Sequence, residues 1–344
     1  MQKIIECVPN YSEGRDPAVI GAIVDAIGSV PGVRVLNVDP GAAANRTVVT
    51  FAGAPEAVAE AAFRGSASAQ EHIDMRLHHG THPRSGATDV LPLVPVAGVT
   101  LEECAALARA LAKRMYEELG IPCYCYEAAA FRPAFRNLAV CRAGEYEGLR
   151  ERMADPGRRP DFCGGWDERA ARSGASTVGA RNFLIAVNFN LDSQSAELAT
   201  EIACDVRQKG RKALDASGRP VLDAAGKPVW IPGPLRGCKA IGWYIEEYGI
   251  AQVSMNITDI AATPLHTAYE TVCRAAAARG ARITGTEIIG LVPKTVLVEA
   301  GRHFGGPQDD EPELIRTAVR AMGLDDLRPF DAREKVLEYL LENL

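Results

Sequence analysis

The chain has 344 residues, a formal net charge of −6 and 47% apolar residues, enough to build two cores. No basic block offers a nucleic-acid surface, and the apolar runs are too short and proline-cut to span a membrane. Nine cysteines without a C-x-x-C pair, and a start at Met1-Gln2-Lys3-Ile4-Ile5-Glu6 with no apolar signal core, lead us to expect reduced thiols in a cytoplasmic protein.

Lys3 to Pro9 reads as a strand. Asp16-Pro17 supplies an N-cap and a first-turn proline for a helix with Val19, Ile20, Ile23, Val24 and Ile27 on one face. Val33–Val38 and Thr47–Phe51 read as strands joined by a turn at Asp39-Pro40-Gly41, and an alanine-rich helix runs from Pro55 to Ile73. Val90–Pro95 is a buried strand. Thr100 and Glu103 form a capping box for a helix that stops at Gly120, and Ile121–Tyr126 is the next strand.

The second half predicts a strand at Phe183–Phe189, a helix at Ser195–Gln208 and a protruding hairpin over Arg211–Pro234. A strand follows at Ile250–Met255, then a helix capped at Thr263-Pro264 that ends at Gly280, and a strand around Ile283. Gly301–Glu311 reads as a mobile linker to two closing helices, Glu313–Met322 and Ala332–Leu344. Thr88-Asp89-Val90-Leu91-Pro92-Leu93-Val94-Pro95 is echoed by Thr286-Glu287-Ile288-Ile289-Gly290-Leu291-Val292-Pro293, which points to an internal duplication. The expected class is α/β (α+β), with a lobe boundary near Gly174–Arg181 and domains 1–178, 179–300 and 301–344. A doubly wound nucleotide-binding sheet is the weaker reading, because no strand is followed by a glycine-rich phosphate loop.

Three of the chain's six histidines fall in His78-His79-Gly80-Thr81-His82-Pro83-Arg84-Ser85-Gly86-Ala87-Thr88-Asp89. H-x-x-x-H holds zinc on a helix, but Gly80 and Pro83 remove that geometry, so no metal is expected. General acid–base chemistry suits the loop better. His82 is the best candidate, its backbone stiffened by Pro83, with Arg84 beside it to orient an anion. In Asp39–Thr47, Arg46 and backbone amides could contact an anion while Asp39 orients a histidine; the alternative is an ordinary turn. Cys7, in an apolar strand, reads as core, and His266 as a capping or packing residue.

Glu6-Cys7-Val8-Pro9-Asn10-Tyr11-Ser12-Glu13-Gly14, Asp39-Pro40-Gly41 through Asn45-Arg46-Thr47, and His82-Pro83-Arg84 with Gly86-Ala87 and Asp89 together resemble the glutamate formimidoyltransferase family. So do Arg142-Ala143-Gly144-Glu145-Tyr146-Glu147, Gly179-Ala180-Arg181, Ile241-Gly242-Trp243-Tyr244, Ala251-Gln252-Val253-Ser254-Met255-Asn256 and Gly290-Leu291-Val292-Pro293. The resemblance implies two similar α/β subdomains with facing sheets, helices outside and a folate tunnel between them. It implies transfer of a formimino group from N-formimino-L-glutamate to N5 of tetrahydrofolate, the co-substrate, in histidine breakdown, with no metal or nucleotide.

His82 maps onto that family's acid–base group. An imidazole of ordinary pKa, about 6.5, suits the proton transfers, and Asp39 would fix its tautomer. Substrate or folate contacts are expected at Asn10, Asn45, Arg46, Arg84, Arg181 and, in the 163–174 loop, Gly164, Gly165, Ser173 and Gly174. A homodimer and a separate cyclodeaminase partner are further expectations. The chain departs from the family pattern at His79, Thr81, Ser85, Glu127-Ala128-Ala129 and the 163–174 loop. Those departures keep two other readings in view: a 5-formyltetrahydrofolate cyclo-ligase-like enzyme, and a non-catalytic folate- or pterin-binding protein.

Overall fold

The computed structural model describes residues 3–306 and 309–342; Met1-Gln2, Pro307-Gln308 of the expected linker and the end of the expected last helix, Asn343-Leu344, lie outside them. The chain divides into two compact units, Met1–Asn182 and Phe183–Asn343.

In the first unit, β1 (Ile4–Cys7) and β2 (Asn10–Tyr11) are followed by α1 (Pro17–Gly28), β3 (Val33–Gly41), β4 (Arg46–Gly53), α2 (Pro55–His72), β5 (Thr88–Ala97) and α3 (Leu101–Leu119). Asp16 caps α1 by accepting the Ala18 amide, and both bonds of the Thr100–Glu103 capping box form. Ile23 and Ile27 are buried on the inner face of α1. Each such side chain contributes roughly 1.5–3 kcal/mol when removed from water. They pack with α2, α3 and the inward residues Ile5, Cys7, Phe51, Leu91 and Leu93 into one core under the sheet.

Then come β6 (Cys123–Glu127), the short helices α4 (Leu138–Cys141), α5 (Leu149–Ala154) and α6 (Glu168–Ser173), and β7 (Ser176–Ala180). The strands lie in the order β3, β4, β1 with β2, β5, β7, β6; all pairings are antiparallel except β5–β7 and β7–β6. A wholly parallel, doubly wound sheet is therefore ruled out.

The second unit runs β8 (Ile185–Leu191), α7 (Ala196–Val206), β9 (Arg211–Lys212), β10 (Trp230–Ile231), β11 (Cys238–Ile245), β12 (Ile250–Ile257), α8 (Leu265–Ala277) and β13 (Ile283–Ile289). α9 (Lys294–Gly305), α10 (Glu311–Met322), α11 (Ala332–Lys335) and α12 (Leu337–Leu341) complete it. Its sheet has the order β11, β12, β8, β13, all antiparallel. Taking β1 with β2 as one strand, both units therefore carry a β-α-β-β-α-β unit in which the second, third, first and fourth strands lie side by side. β5 and β13, which hold the echoed Thr88 and Thr286 segments, are the fourth strands. The duplication is real at the level of topology.

Several expectations change. The turn between β3 and β4 is at Ala42–Asn45, not at Asp39-Pro40-Gly41, which pair with Val48, Thr47 and Arg46. The break between units falls after Asn182 rather than 178, because β7 is bonded to β5 and β6. Thr263 does not cap α8; its hydroxyl donates to the Arg236 carbonyl, and Pro264 is the N-cap. Gly301–Gly305, expected as mobile linker, is the end of α9. Gly301 lets the helices meet, since a Cβ there would overlap the Leu314 carbonyl of α10. The last helix is broken at Val336, which turns extended to bond Val292 and join the core. Among the described residues no helix is long and apolar enough to cross a membrane.

Candidate active site

One ladder irregularity organises the site. Asn10 of β2 pairs with Val90, but the next residue, Tyr11, pairs with Thr88, so Asp89 is the extra residue of a β-bulge. Bulges re-aim a side chain out of the normal alternation. Here the bulge lets the fully buried Asp89 carboxylate meet Arg46, which by strand alternation shares the sheet face of Asn10 and Asp39.

Asp89 Oδ2 accepts from Arg46 Nη1 at 2.6 Å and from Arg142 Nη1 at 2.9 Å, and Oδ1 accepts from the Ser85 amide at 2.7 Å. Burial works to raise the Asp89 pKa, but Arg142, Arg46 and the Ser85 amide outweigh it and hold the carboxyl below the usual range. Arg46 Nε also donates to Asn10 Oδ1 at 3.1 Å, and Asn10 Nδ2 to the Val8 carbonyl at 3.1 Å. Two guanidinium groups against one carboxylate leave this cluster with an excess positive charge, a setting that favours an anion.

His82 is tied to the same cluster. Its Nδ1 lies 2.8 Å from the Pro83 carbonyl oxygen, which also accepts from Arg142 Nη1 at 2.9 Å. Facing an acceptor, Nδ1 carries the proton in the neutral ring, which leaves the lone pair on Nε2. The acceptor at Nδ1 is thus a backbone carbonyl. Burial, then Arg46, then Arg142, push the imidazole down to about 3. The expectation of an ordinary value near 6.5 is overturned: without substrate, this histidine is neutral throughout the physiological range.

Other candidates are held by the architecture. His78 Nε2 lies 2.8 Å from the Asn45 carbonyl and its Nδ1 accepts from Arg84 Nε at 3.3 Å, so both ring nitrogens are engaged. Arg84 is buried and donates to both carboxylate oxygens of Glu147, at 2.7 and 2.8 Å, and to Glu145 at 3.1 Å. That hydrogen bond holds Glu147 at about 2. Arg84, expected to hold substrate, ties the histidine loop to the 145–147 segment. Asn45, left-handed at φ 48°, accepts the Gly14 amide and donates to the His79 carbonyl, so it joins three loops.

The 163–174 loop divides. Gly164 and Gly165 lie in its irregular start, whereas Ser173 and Gly174 close it against the histidine loop. The Ser173 hydroxyl donates to Arg169 and its carbonyl receives the Ala87 amide. Gly174 has φ 65°, and a Cβ there would overlap the Ser85 carbonyl, so only glycine permits the approach. Arg181, just after β7, donates to the Asn182 carbonyl and bonds Tyr126. Asp39 stands in the cross-strand row of Val48 and Asn10. No group of three or more metal-ligating side chains occurs among the described residues.

The structure therefore joins Asn10, Arg46 and His82 and adds two residues that the sequence reading did not assign. Asp89 had a signal, as the one acid at the end of the histidine loop. Arg142 had only its place in a matched motif, sixty positions on in the chain.

Residues 4–181 match the formiminotransferase domain's N-terminal subdomain, and residues 186–342 match the formiminotransferase domain. The chain belongs to the formiminotransferase family. It is 38% identical to the glutamate formimidoyltransferase of Streptococcus pyogenes serotype M1, over 88% of this chain and 94% of that protein. The glutamate formimidoyltransferase of Thermoplasma acidophilum is 39% identical, over 88% and 92%. The formimidoyltransferase-cyclodeaminase of Gallus gallus is 43% identical over 99% of this chain, which spans only 60% of that longer protein.

Two of this formiminotransferase chain's departures have simple structural accounts. The Thr81 hydroxyl donates to the Ala43 carbonyl, which fastens the histidine loop to the β3–β4 turn. Ser85 is fully buried and takes a long bond from Arg152 at 3.4 Å.

Proposed function

We propose that this chain transfers the formimino group of N-formimino-L-glutamate to N5 of tetrahydrofolate, with His82 as the acid–base group. The observation that carries the reading is the His82 ring, held at Nδ1 by the Pro83 carbonyl, beside a cluster with net positive charge. The names of the compact relatives from Streptococcus and Thermoplasma support the choice of substrates.

As N5 attacks the amidine carbon, a C–N bond forms and His82 Nε2 takes the N5 proton. The tetrahedral intermediate then breaks its bond to the glutamate nitrogen, and the imidazolium returns the proton to that leaving amine. Glutamate and 5-formiminotetrahydrofolate result. Arg46 and Arg142 lower the basicity of His82 in the empty site; a substrate carboxylate beside them offsets their charge and raises it. Base strength is in this way coupled to occupancy.

Asp39, on the same sheet face as Asn10 and Arg46, is proposed to steady the imidazolium. Arg46 and Arg181 are proposed for the carboxylates of the substrates, and Gly164 and Gly165 for contact with folate. A cytoplasmic location is supported by nine free cysteines, six of them buried. A homodimer is proposed on family resemblance, and a cyclodeaminase that consumes the formimino product is proposed as partner, because the longer relatives' name couples the two activities.

The direct test is turnover of N-formimino-L-glutamate with tetrahydrofolate by the purified chain. Formation of 5-formiminotetrahydrofolate that needs both substrates is expected; no product from well-folded protein contradicts the reading.

A further inference from the structure

The arm over Arg211–Pro234 is built from a repeat. Leu214-Asp215-Ala216-Ser217-Gly218-Arg219-Pro220-Val221 is followed at once by Leu222-Asp223-Ala224-Ala225-Gly226-Lys227-Pro228-Val229, the same eight residues with two small changes. Each copy is one tight turn. Asp215 accepts the Ser217 and Arg219 amides at 2.8 and 3.0 Å, and Asp223 accepts the Ala225 and Lys227 amides at 2.8 and 2.9 Å. Gly218 and Gly226 supply the left-handed residue of each turn, at φ 80° and 74°. A closed ring of three backbone bonds ties the turns at their base. The Val221 amide donates to the Ala213 carbonyl at 2.8 Å, the Val229 amide to the Val221 carbonyl at 2.9 Å, and the Ala213 amide to the Val229 carbonyl at 2.8 Å. The arm is thus held in shape by its own backbone and its two aspartates.

What the arm displays is unusual for a solvated loop. Every residue from Leu214 to Lys227 is exposed. Leu214, Val221, Leu222, Val229 and Ile231 are between 37% and 59% exposed and belong to none of the hydrophobic cores. These five are half of the ten large hydrophobic side chains exposed among the described residues. Such a concentration marks an interaction surface, and a surface fixed beforehand loses less entropy on binding. Its charge is opposite to that of the chain. Lys209–Ile231 carries five basic and two acidic residues, a net +3 in a chain of −6. Arg211 is held by Glu201 and Asp205, and Arg219 by Asp215, whereas Lys212 and Lys227 stand exposed.

The complement lies at the opposite edge of the same sheet. The arm is rooted beside β11, where the Gln208 amide donates to the Cys238 carbonyl at 3.1 Å and Arg207 Nη1 to the Ala240 carbonyl at 2.9 Å. The other edge strand, β13, is covered by the 309–342 segment. The Thr286 amide donates to the Gly323 carbonyl at 2.9 Å, and the Thr284 hydroxyl to Asp326 at 3.2 Å. That segment holds ten acidic residues against five basic, a net −5. On α12, Leu340 and Leu341 are half-buried with Glu342 exposed beside them, and Glu334 is exposed on α11. We propose that the arm docks on the 309–342 segment of a second copy of this chain, its aliphatic side chains against α12 and its lysines among the carboxylates. Because arm and segment occupy opposite edges, the contact is head to tail, with each copy giving its arm to one neighbour and its segment to another. It differs in symmetry from a two-fold dimer, and it does not depend on the transfer reaction.

The test is sedimentation equilibrium of the full chain over a range of concentrations. Three double variants accompany wild type: Leu214→Asp with Leu222→Asp, Lys212→Glu with Lys227→Glu, and Glu334→Lys with Glu342→Lys. All six positions are exposed, and equal melting temperatures certify the fold. Wild type should gain mass as concentration rises. The aspartate variant should weaken that association by about tenfold or more, the scale of losing interface anchors. Each charge reversal should weaken it in about 0.1 M salt and matter little in about 1 M salt, where the screening length falls to about 3 Å. Both reversals in one chain should restore it, because every contact then joins opposite charges again. The same mass for wild type and the aspartate variant at every concentration overturns the proposal. Weakening by each reversal without recovery in the combination overturns the choice of the 309–342 segment. Flotation of wild type with phosphatidylglycerol vesicles, lost in the aspartate variant and with no concentration-dependent mass, gives the arm to a lipid surface and overturns self-docking.

Discussion

The two units answer the same topological problem with opposite chemistry. Each lays four strands in the same order and buries one face under helices, yet the first places buried charge on its free face and the second places neutral amides around a single carboxylate. A buried ion cluster depends on every member, since removing one leaves uncompensated charge. An amide network loses only hydrogen bonds. The comparison teaches that one scaffold can carry a buried ion cluster in one unit and a buried amide network in the other without any change of fold.

The largest effect should come from Asp89→Ala, which strands Arg46 and Arg142 beside each other. A loss of roughly 3–5 kcal/mol of unfolding free energy in denaturant titration is expected. The depressed Asp89 pKa sets the sign of the pH dependence. The carboxylate stabilises the fold above its ordinary value, about 3.9, and this contribution disappears as pH falls through the lower, folded-state value. The gap between wild type and variant should therefore stay constant from pH 8 to 5 and narrow only below about pH 4. A gap that already closes near neutrality would mean that Asp89 is not the anion holding the cluster.

In the second unit, Gln252→Ala removes the bonds that Gln252 makes with Trp243 and with Asn190. It should cost about 1–3 kcal/mol, clearly less than the loss at Asp89. Equal costs at the two positions would erase the contrast between the faces. A finer probe is Arg142→Gln, which removes one of the two cations lowering His82. Imidazole NMR titration should show the His82 pKa moving up from about 3, whereas no movement would contradict the electrostatic account of the neutral ring. The smallest effect is expected for Thr81→Ala, within about 0.5 kcal/mol, because its bond to Ala43 is at the surface.

Much of the scaffold was legible because its signals are local. Asp16 before Pro17, the Thr100–Glu103 pair and Gly120 each act within one helical turn, and each does what its chemistry dictates. The errors arose where distant contacts decide. Gly301 looks like a linker residue until α10 packs on it, and Asp39-Pro40-Gly41 look like a turn until β4 supplies partners.

The site divides along the same line. His82 stood out through its neighbours in sequence, but its companion Arg142 comes from the far side of β6, and the bulge that swings Asp89 into place is a register effect invisible in a single strand. The partners of Arg84 were hidden for the complementary reason. An arginine beside a candidate base suggests substrate, and nothing local reveals that Glu145 and Glu147 already hold it.

The central claim is that His82 Nε2 moves the proton between N5 and the leaving amine. It is tested most directly by measuring kcat for His82→Ala alongside its dissociation constant for tetrahydrofolate. The account predicts a fall in kcat of about 10²-fold or more, with the dissociation constant within a few-fold of wild type. A folded variant that binds tetrahydrofolate and turns over at the wild-type rate would contradict it.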